Sequence, residues 1–226
     1  KTMNQENFHA PQAGQVVLAP GGYWAFIPAP LPPKIDYDPG LVVRLSRADA
    51  ALSELSGLGR YMINPHLLIA SYIRKEAVLS SRIEGTRAGI VDLLIDDLDT
   101  PNNHKDGDIK EVQNYIAALE YGIERLNSLP LSLRLVREIH ARLMEGVRGG
   151  NAAPGEFRRS QNWIGPAGST LADATYVPPP PSEMMDCLGN WEMFLQGSGS
   201  FPELIQCAIL HAQFEAIHPF LDGNGR

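Results

Sequence analysis

The stretch that decides the fold of this chain is HPFLDGNGR, residues 218–226. It follows the apolar segment PELIQCAILHAQFEAI, residues 202–217, which predicts a helix that ends at His218. Because Pro219 biases the residue before it away from the helical region, we expect His218 at the helix end, with its side chain facing a cleft. The other segments of the chain can be placed around this helix and the loop that follows it.

The loop after His218 has the composition of a phosphate-binding site. A Gly-Asn-Gly run tolerates positive backbone torsions and lets successive N–H groups point into one concavity. Asp222 is a hard oxygen ligand suited to Mg²⁺, and Arg226 is a forked cation suited to phosphate. Each residue also has a structural explanation, since DGNG alone is a common turn composition. Their combination predicts a polyphosphate cradle with a base beside it, formed by His218, Asp222, Gly223, Asn224, Gly225 and Arg226.

Most of the remaining sequence is helical in pattern. Periodic apolar residues predict helices over 41–57, 65–84, 89–98, 109–126, 132–145, 182–195 and 202–217. Asp38 and Pro39 are suited to cap the first helix, and Gly85 is suited to end the second. The Pro- and Gly-rich residues 9–40 predict an extended arm, whereas QNWIG and ATYV predict a small hairpin. The fold class is therefore all-α, a helical bundle with a small β-hairpin.

Composition excludes several classes of partner. The net charge of −7 provides no global positive field for nucleic acid or for an anionic membrane surface. No stretch approaches the roughly 20 apolar residues of a membrane span. The two cysteines share no metal-type spacing, so we expect two buried, reduced thiols and a cytoplasmic protein. Because the first residue is Lys1 and the last is Arg226, we expect this chain to be part of a longer protein.

These residues resemble those of a known family. HPFLDGNGR matches the Fic-domain signature HxFx(D/E)GNGRxxR at every position that the sequence contains; the second arginine would follow Arg226 by three residues. Fic proteins are mostly helical enzymes that typically transfer AMP from ATP to a hydroxyl of a target protein. The resemblance implies that His218 is the general base, that Asp222 binds Mg²⁺, that residues 223–225 form the phosphate nest and that Arg226 contacts a phosphate.

The resemblance extends over most of the chain. GEFRRSQNWIG and ATYVPPPP are similar to the family segment that leads to and forms the flap, which aligns a target strand. This similarity implies that Thr175, Tyr176 and Val177 belong to the flap. Tyr176 and Val177 then contact the nucleotide or the target, or are only strand residues. LPP and EAVLSSRIEGT resemble the family's N-terminal region. We therefore expect an N-terminal region over 1–104, with the Pro-rich arm and an inhibitory helix, and a catalytic core over 105–226 that is truncated at its C-terminal end.

The segment SSRIEG, residues 80–85, resembles a second Fic signature, (S/T)xxxE(G/N). Ser80, Glu84 and Gly85 occupy the matching positions, and Ser80 and Glu84 share a helix face because they are one turn apart. In the family this glutamate pairs with the second arginine, so that the γ-phosphate of ATP cannot bind productively. The resemblance implies an intramolecular inhibitory helix. The alternative is a solvated glutamate at a helix end.

The function implied by the resemblance is protein adenylyltransferase, acting on a serine, threonine or tyrosine hydroxyl of a target protein or of the protein itself. ATP is the substrate, Mg²⁺ the cofactor, and Glu84 the autoinhibitory residue. Two alternatives remain: a Fic enzyme with another activity (uridylyl, phosphocholine or phosphoryl transfer, or removal of AMP), or a silent binding module. Arg158 and Arg159 either contact anions or are solvated.

Overall fold

A computed structural model describes residues 3–83, 85–98, 107–150, 152–197 and 201–226. The helices of this part of the chain are α1 (Pro39–Gly59), α2 (Pro65–Ile83), α3 (Ile90–Leu98), α4 (Gly107–Arg125), α5 (Leu133–Leu143), α6 (Pro181–Gln196) and α7 (Glu203–Ile217). Two strands, β1 (Gly14–Leu18) and β2 (Trp24–Pro28), form an antiparallel hairpin. The predicted all-α class with a small hairpin is confirmed. The predicted inhibitory Glu84 and the domain boundary after residue 104 lie outside the described residues.

The hairpin lies in the Pro- and Gly-rich arm, where the sequence predicted only extended chain. Val16 pairs with Phe26, and both side chains are buried. Gly22 adopts a φ of +77° in the turn between the strands, a torsion that glycine accepts without steric cost. In the segment predicted as a hairpin, QNWIG and ATYV do meet, but through one isolated bridge between Ile164 and Tyr176. The Pro and Gly content of the arm thus predicted no strands, although two short strands form there.

The helix ends show which local sequence signals predicted a helix start correctly. The Asp38 carboxylate accepts the N–H of Leu41 at 2.9 Å, which confirms the predicted cap of α1. Helix α6 begins at Pro181, one residue before the predicted start at 182, and has no side-chain cap. Proline at the first helical position has its φ already set and no N–H to satisfy, so this helix start needs no cap.

Helix α4 packs against both α2 and α5. Ala77 and Val78 of α2 pack with Val112 on one side of α4. Ala118 of α4 packs with Leu143 and Met144 on the α5 side. A third cluster joins α6 to the end of α7 and contains Met184, Leu188, Trp191 and Ile217. Because Ile217 is fully buried in this cluster, the position of the next residue, His218, is fixed by the core.

No helix in the described ranges is both long and apolar enough to cross a membrane. Cys187 and Cys207 are both free thiols. Cys187 is half-buried and Cys207 is exposed, so the expectation that both are buried is wrong. An amphipathic helix pattern does not distinguish a residue on the core face from one at its border.

Candidate active site

His218 is the C-cap residue of α7 and adopts a left-handed conformation, with φ 49° and ψ 62°. Its backbone N–H donates to the Phe214 carbonyl at 3.0 Å, and Pro219 follows it. The prediction that Pro219 takes His218 out of the helix is therefore confirmed. The ring is half-buried and its Nδ1 atom is inaccessible to solvent. Only Nε2 of the imidazole can therefore face a reactant.

Arg158 fixes the end of α7 from below. Its side chain is buried, and it donates to four backbone carbonyls: His218 at 2.9 Å, Ser160 at 3.3 Å, Pro179 at 2.6 Å and Ile217 at 3.4 Å. The last carbonyls of a helix lack intrahelical partners and carry partial negative charge, so a guanidinium stabilises them. Arg158 is therefore a structural clamp, whereas Arg159 is exposed. The sequence did not distinguish the two adjacent arginines.

The environment keeps the His218 imidazole neutral. Burial lowers the pKa of His218, the positive charge of Arg158 lowers it further, and the Glu215 carbonyl acts in the opposite direction. Burial also lowers the pKa of Arg158 to about 10, which leaves this side chain charged at neutral pH. A general base must be unprotonated before it accepts a proton. The electrostatics around His218 favour that state.

His140, in α5, connects the loop to the helical body. Its Nδ1 accepts the N–H of Gly155 at 2.9 Å, which assigns the ring proton to Nε2. Nε2 then donates to the backbone carbonyl of Asp222 at 2.9 Å, and the ring stacks on Phe220 with centroids 3.7 Å apart. His140 thus positions the loop that contains Asp222. His140 is not among the residues predicted for the site, because a histidine within a helix gives no sign of its distant partners.

Burial lowers the pKa of His140, which makes folding dependent on pH. The His140 imidazole binds a proton at a higher pH in the unfolded chain than in the folded chain. The contribution of the neutral, buried ring to the free energy of unfolding is therefore complete above the unfolded pKa of about 6.5 and declines below it. We expect His140→Gln to reduce the slope of unfolding free energy against pH below pH 6.5, by up to about 1.4 kcal/mol per pH unit. Urea unfolding between pH 5 and pH 7 tests this, with the exposed His211→Gln as control. An unchanged slope would contradict the assignment.

The Gly-Asn-Gly part of the loop is closed by its own hydrogen bonds. The Asn224 side chain accepts the N–H of Phe220 and donates to the Phe220 carbonyl, both at 2.8 Å. The N–H of Gly223 donates to Asp222 Oδ1 at 2.7 Å. Gly223 has a φ of +76°, and a Cβ there would lie 2.6 Å from Met144 Sδ. The Asn224 side chain therefore holds the shape of the loop, and only glycine fits at position 223.

Asp222 is the residue that could hold a metal ion. Its Oδ1 belongs to the loop, and its Oδ2 lies against Gly149, where any Cβ would overlap it. Among the described residues there is no group of three or more metal-binding side chains. Mg²⁺ is usually bound by one or two carboxylates together with substrate phosphates and water. A single carboxylate beside the predicted phosphate-binding loop would therefore fit Mg²⁺ in the form bound to a nucleotide.

Arg226 lies beside a buried carboxylate that the sequence analysis missed. Its Nη1 is 3.8 Å from Oε1 of Glu111 in α4, and both side chains are almost inaccessible. Oε2 of Glu111 accepts the Thr86 hydroxyl and lies 3.4 Å from Nη2 of Arg148. A glutamate in an amphipathic helix is usually on the solvent side, so the pattern gave no sign of its burial.

The predicted flap residues are held by the body of the protein. Ile164 donates its N–H to the Tyr176 carbonyl at 2.8 Å, and the Tyr176 hydroxyl donates to the Ala216 carbonyl at 2.6 Å. Val177 is buried, and its carbonyl accepts the N–H of Phe26 at 2.8 Å. Burial raises the pKa of Tyr176. Tyr176 and Val177 therefore anchor the flap to α7 and β2, whereas Thr175 is exposed.

The predicted inhibitory segment is described on both sides of Glu84. The Ser80 hydroxyl donates to Glu76, one turn earlier on α2, at 2.7 Å. Helix α2 ends at Ile83 and Gly85 has a φ of +92°, so the predicted stop at Gly85 is confirmed. Thr86 then contacts Glu111. The segment after Glu84 is thus brought next to the carboxylate that pairs with Arg226.

Family models match both halves of the chain. The model of the Fic/DOC family N-terminal region matches residues 42–124, and the model of the Fic/DOC family matches residues 130–226.

Comparison with individual proteins also finds Fic proteins. The protein adenylyltransferase Fic of Drosophila grimshawi is 29% identical over 131 residues, and that of Aedes aegypti is 30% identical over 132 residues; each alignment covers 54% of this chain. The chain spans about a quarter of the length of these relatives, 24% in both cases. The crystal structure of a Fic family protein from Desulfovibrio desulfuricans matches with a TM-score of 0.61 and 24% identity, over 87% of this chain and 57% of that one. This likeness shows the fold.

Proposed function

Because the chain belongs to the Fic/DOC family, we propose that it carries the active site of a protein adenylyltransferase. In this proposal the enzyme transfers AMP from ATP to a serine, threonine or tyrosine hydroxyl of a target protein. The observation that carries the proposal is the placement of His218 at the end of α7, with only Nε2 free to face a reactant, directly before the loop that contains Asp222 and Arg226. The relatives from Drosophila grimshawi and Aedes aegypti are both named protein adenylyltransferase Fic, which supports the proposal.

The reaction follows from this arrangement. Nε2 of His218 removes the proton of the target hydroxyl as the oxygen forms a bond to the α-phosphorus of ATP. The bond from the α-phosphorus to the oxygen that bridges it to the β-phosphate breaks, and pyrophosphate leaves with that oxygen. AMP remains on the target. A base of this kind contributes about 100-fold to 10,000-fold in rate. Positioning and stabilisation of the phosphate charge supply much of the rest.

The remaining residues bind and orient the substrates. Asp222 would hold Mg²⁺, which neutralises phosphate charge when bound, and Arg226 would contact the phosphates. The flap would align an extended segment of the target. Because the Tyr176 hydroxyl is bonded to Ala216, two residues before His218, the flap and the base are held at a fixed separation. This supports a role of the flap in placing the target hydroxyl near Nε2.

We further propose that Glu84 inhibits the transfer by occupying the site of the γ-phosphate. The support is the contact between Thr86 and Glu111, which ties the segment that follows Glu84 to the partner of Arg226. A carboxylate close to the phosphate site repels the phosphates of ATP. It also competes with these phosphates for the arginine that would otherwise bind them.

Mass spectrometry tests the proposed function. The protein and candidate targets are incubated with ATP, UTP or GTP in the presence of Mg²⁺, for the unsubstituted protein and for Glu84→Gly. A gain equal to AMP, only with ATP, is the expected result. A gain equal to UMP indicates uridylyl transfer, and a gain of one phosphate indicates phosphoryl transfer. No gain with any nucleotide, even in Glu84→Gly, indicates a silent binding module and overturns the proposal.

The metal assignment predicts the effect of Asp222→Asn. Asparagine keeps an oxygen that can accept the Gly223 N–H, so the loop keeps its shape, but it removes the charge that would bind Mg²⁺. We expect ATP binding to lose most of its dependence on Mg²⁺ concentration. Calorimetric titration of ATP at several Mg²⁺ concentrations measures this, with the exposed Asp173→Asn as control. A metal dependence identical to that of the unsubstituted protein would exclude Asp222 from the metal site.

A further inference from the structure

Arg226, in the loop motif, and Thr86, the residue directly after the motif SSRIEG, contact the same residue, which lies in neither motif. Residues 80–86 and residues 218–226 are far apart in the sequence, yet Thr86 and Arg226 both contact the carboxylate of Glu111. Glu111 is only 1% exposed. A buried carboxylate is costly unless it is paired and hydrogen-bonded, so these contacts are required for its burial.

The contacts of Glu111 are divided between its two oxygens. Oε2 accepts the Thr86 hydroxyl and faces Nη2 of Arg148 at 3.4 Å. Oε1 faces Nη1 of Arg226 at 3.8 Å. With Oε2 engaged by Thr86, the orientation of the carboxylate is set, and Oε1 points toward Arg226. A guanidinium has five N–H donors in a rigid fork, so Arg226 can face Glu111 with Nη1 and bind a phosphate through other donors. Because the Arg226 side chain is almost inaccessible, a phosphate reaches those donors only when the residues that cover them move.

Helix α4 holds the turn after Glu84 at a second point. The Asp108 carboxylate accepts the N–H of Arg87 at 2.6 Å, one turn before Glu111 on the same helix. Beneath these contacts Val112 is fully buried and packs with Ala77 and Val78. Glu111 is therefore supported by a packed helix and cannot follow a displaced arginine without a change in the core.

We propose that Glu111 is a positioning residue that holds Arg226 where it meets the nucleotide phosphates, and that Thr86 makes this placement depend on the turn that follows Glu84. The proposal rests on the proposed function, since it takes the loop as the phosphate site. A change in the position of residues 85–87 would alter the contact of Thr86 with Oε2, and with it the support of Arg226. The inhibitory segment then acts on the phosphate site through Arg226.

Glu111→Gln removes the charge and keeps the size and one acceptor of the side chain. The charge of Glu111 attracts the Arg226 guanidinium across 3.8 Å, and without this attraction we expect ATP binding to weaken by about tenfold. The binding of adenosine, which has no phosphate, should not change. In an Arg226→Ala background, Glu111→Gln should cause little further loss, because the residue that it positions is already absent. Thr86→Val, which keeps the shape, should weaken ATP binding in the same direction by a smaller factor.

Glu138 provides a matched control. Its carboxylate also contacts two arginines and one hydroxyl, with Arg125 Nε, Arg134 Nε and the Tyr121 hydroxyl each at 2.9 Å. These contacts lower the pKa of Glu138 to about 2. Glu138→Gln therefore removes a carboxylate of the same kind from a position that the site does not use. We expect this variant to bind ATP as the unsubstituted protein does.

The experiment is calorimetry of the full-length protein with ATP and Mg²⁺ and with adenosine, and each variant is first shown by thermal unfolding to be folded. Should Glu111→Gln fail to fold, Thr86→Val provides the same comparison. Three results would overturn the positioning role of Glu111: an ATP affinity of Glu111→Gln equal to that of the unsubstituted protein, an equal loss of affinity for adenosine, or effects of Glu111→Gln and Arg226→Ala that are fully additive. A protein that shows the expected pattern but transfers no AMP would overturn only the proposed function, and absence of ATP binding in the unsubstituted protein would overturn both.

Discussion

His218→Ala is expected to reduce AMP transfer by about 100-fold to 10,000-fold, the range that one general base typically contributes. ATP binding should be largely unchanged, because in the proposed mechanism the imidazole acts on the target hydroxyl whereas the loop and Arg226 hold the phosphates. Residue 218 has a φ of +49°, a torsion that strains alanine, so His218→Asn is a useful second variant because asparagine tolerates this conformation. Agreement between the two variants would show that the loss comes from the missing base.

A transfer assay beside ATP calorimetry measures this effect, with His211→Ala, an exposed position on the same helix, as control. The pH dependence gives an independent readout. Since burial and Arg158 lower the pKa of His218, transfer should rise with pH on an acid limb whose midpoint lies below about 6.5, and should be level at neutral pH. Transfer at the unsubstituted rate in both His218 variants would exclude His218 as the base.

Glu84→Gly is expected to increase AMP transfer. If Glu84 were only a solvated residue at a helix end, glycine would lower helix stability by up to about 1 kcal/mol and leave activity the same or lower. If Glu84 blocks the γ-phosphate, its removal relieves a repulsion and frees an arginine to bind ATP in the reactive position. An increase of about tenfold in AMP transfer corresponds to about 1.4 kcal/mol, which is a modest energy for the repulsion between two close charges. The two explanations therefore predict opposite signs.

A time course of AMP incorporation by the full-length protein distinguishes them, with saturating ATP and Mg²⁺. The double variant Glu84→Gly, His218→Ala is the control, and it should be inactive because it lacks the base. A single variant that is folded and no faster than the unsubstituted protein would refute autoinhibition, even where AMP transfer itself is observed.

The elements that the sequence predicted are those set by neighbouring residues. Asp38 caps α1 through a residue three positions later, and Gly85 takes the left-handed torsion that follows the end of α2. Pro219 takes His218 out of α7 through a steric contact between adjacent residues. In the arm, the strands of the hairpin pair only when a turn brings them together, and there the sequence predicted extended chain and no pairing.

The sequence by itself determined the nine-residue loop, because its histidine, carboxylate, glycines and arginine are contiguous and their chemistry is local. Only the tertiary structure decided what holds that loop. Arg158 binds the carbonyl of His218 60 residues away, and His140 binds that of Asp222 82 residues away. Glu111 is buried where Thr86, Arg148 and Arg226, from three separate parts of the chain, converge on its carboxylate. A periodic pattern shows which face of a helix is apolar, but it does not show which charged residue on another helix will lie close enough to pair, because that depends on how the helices pack.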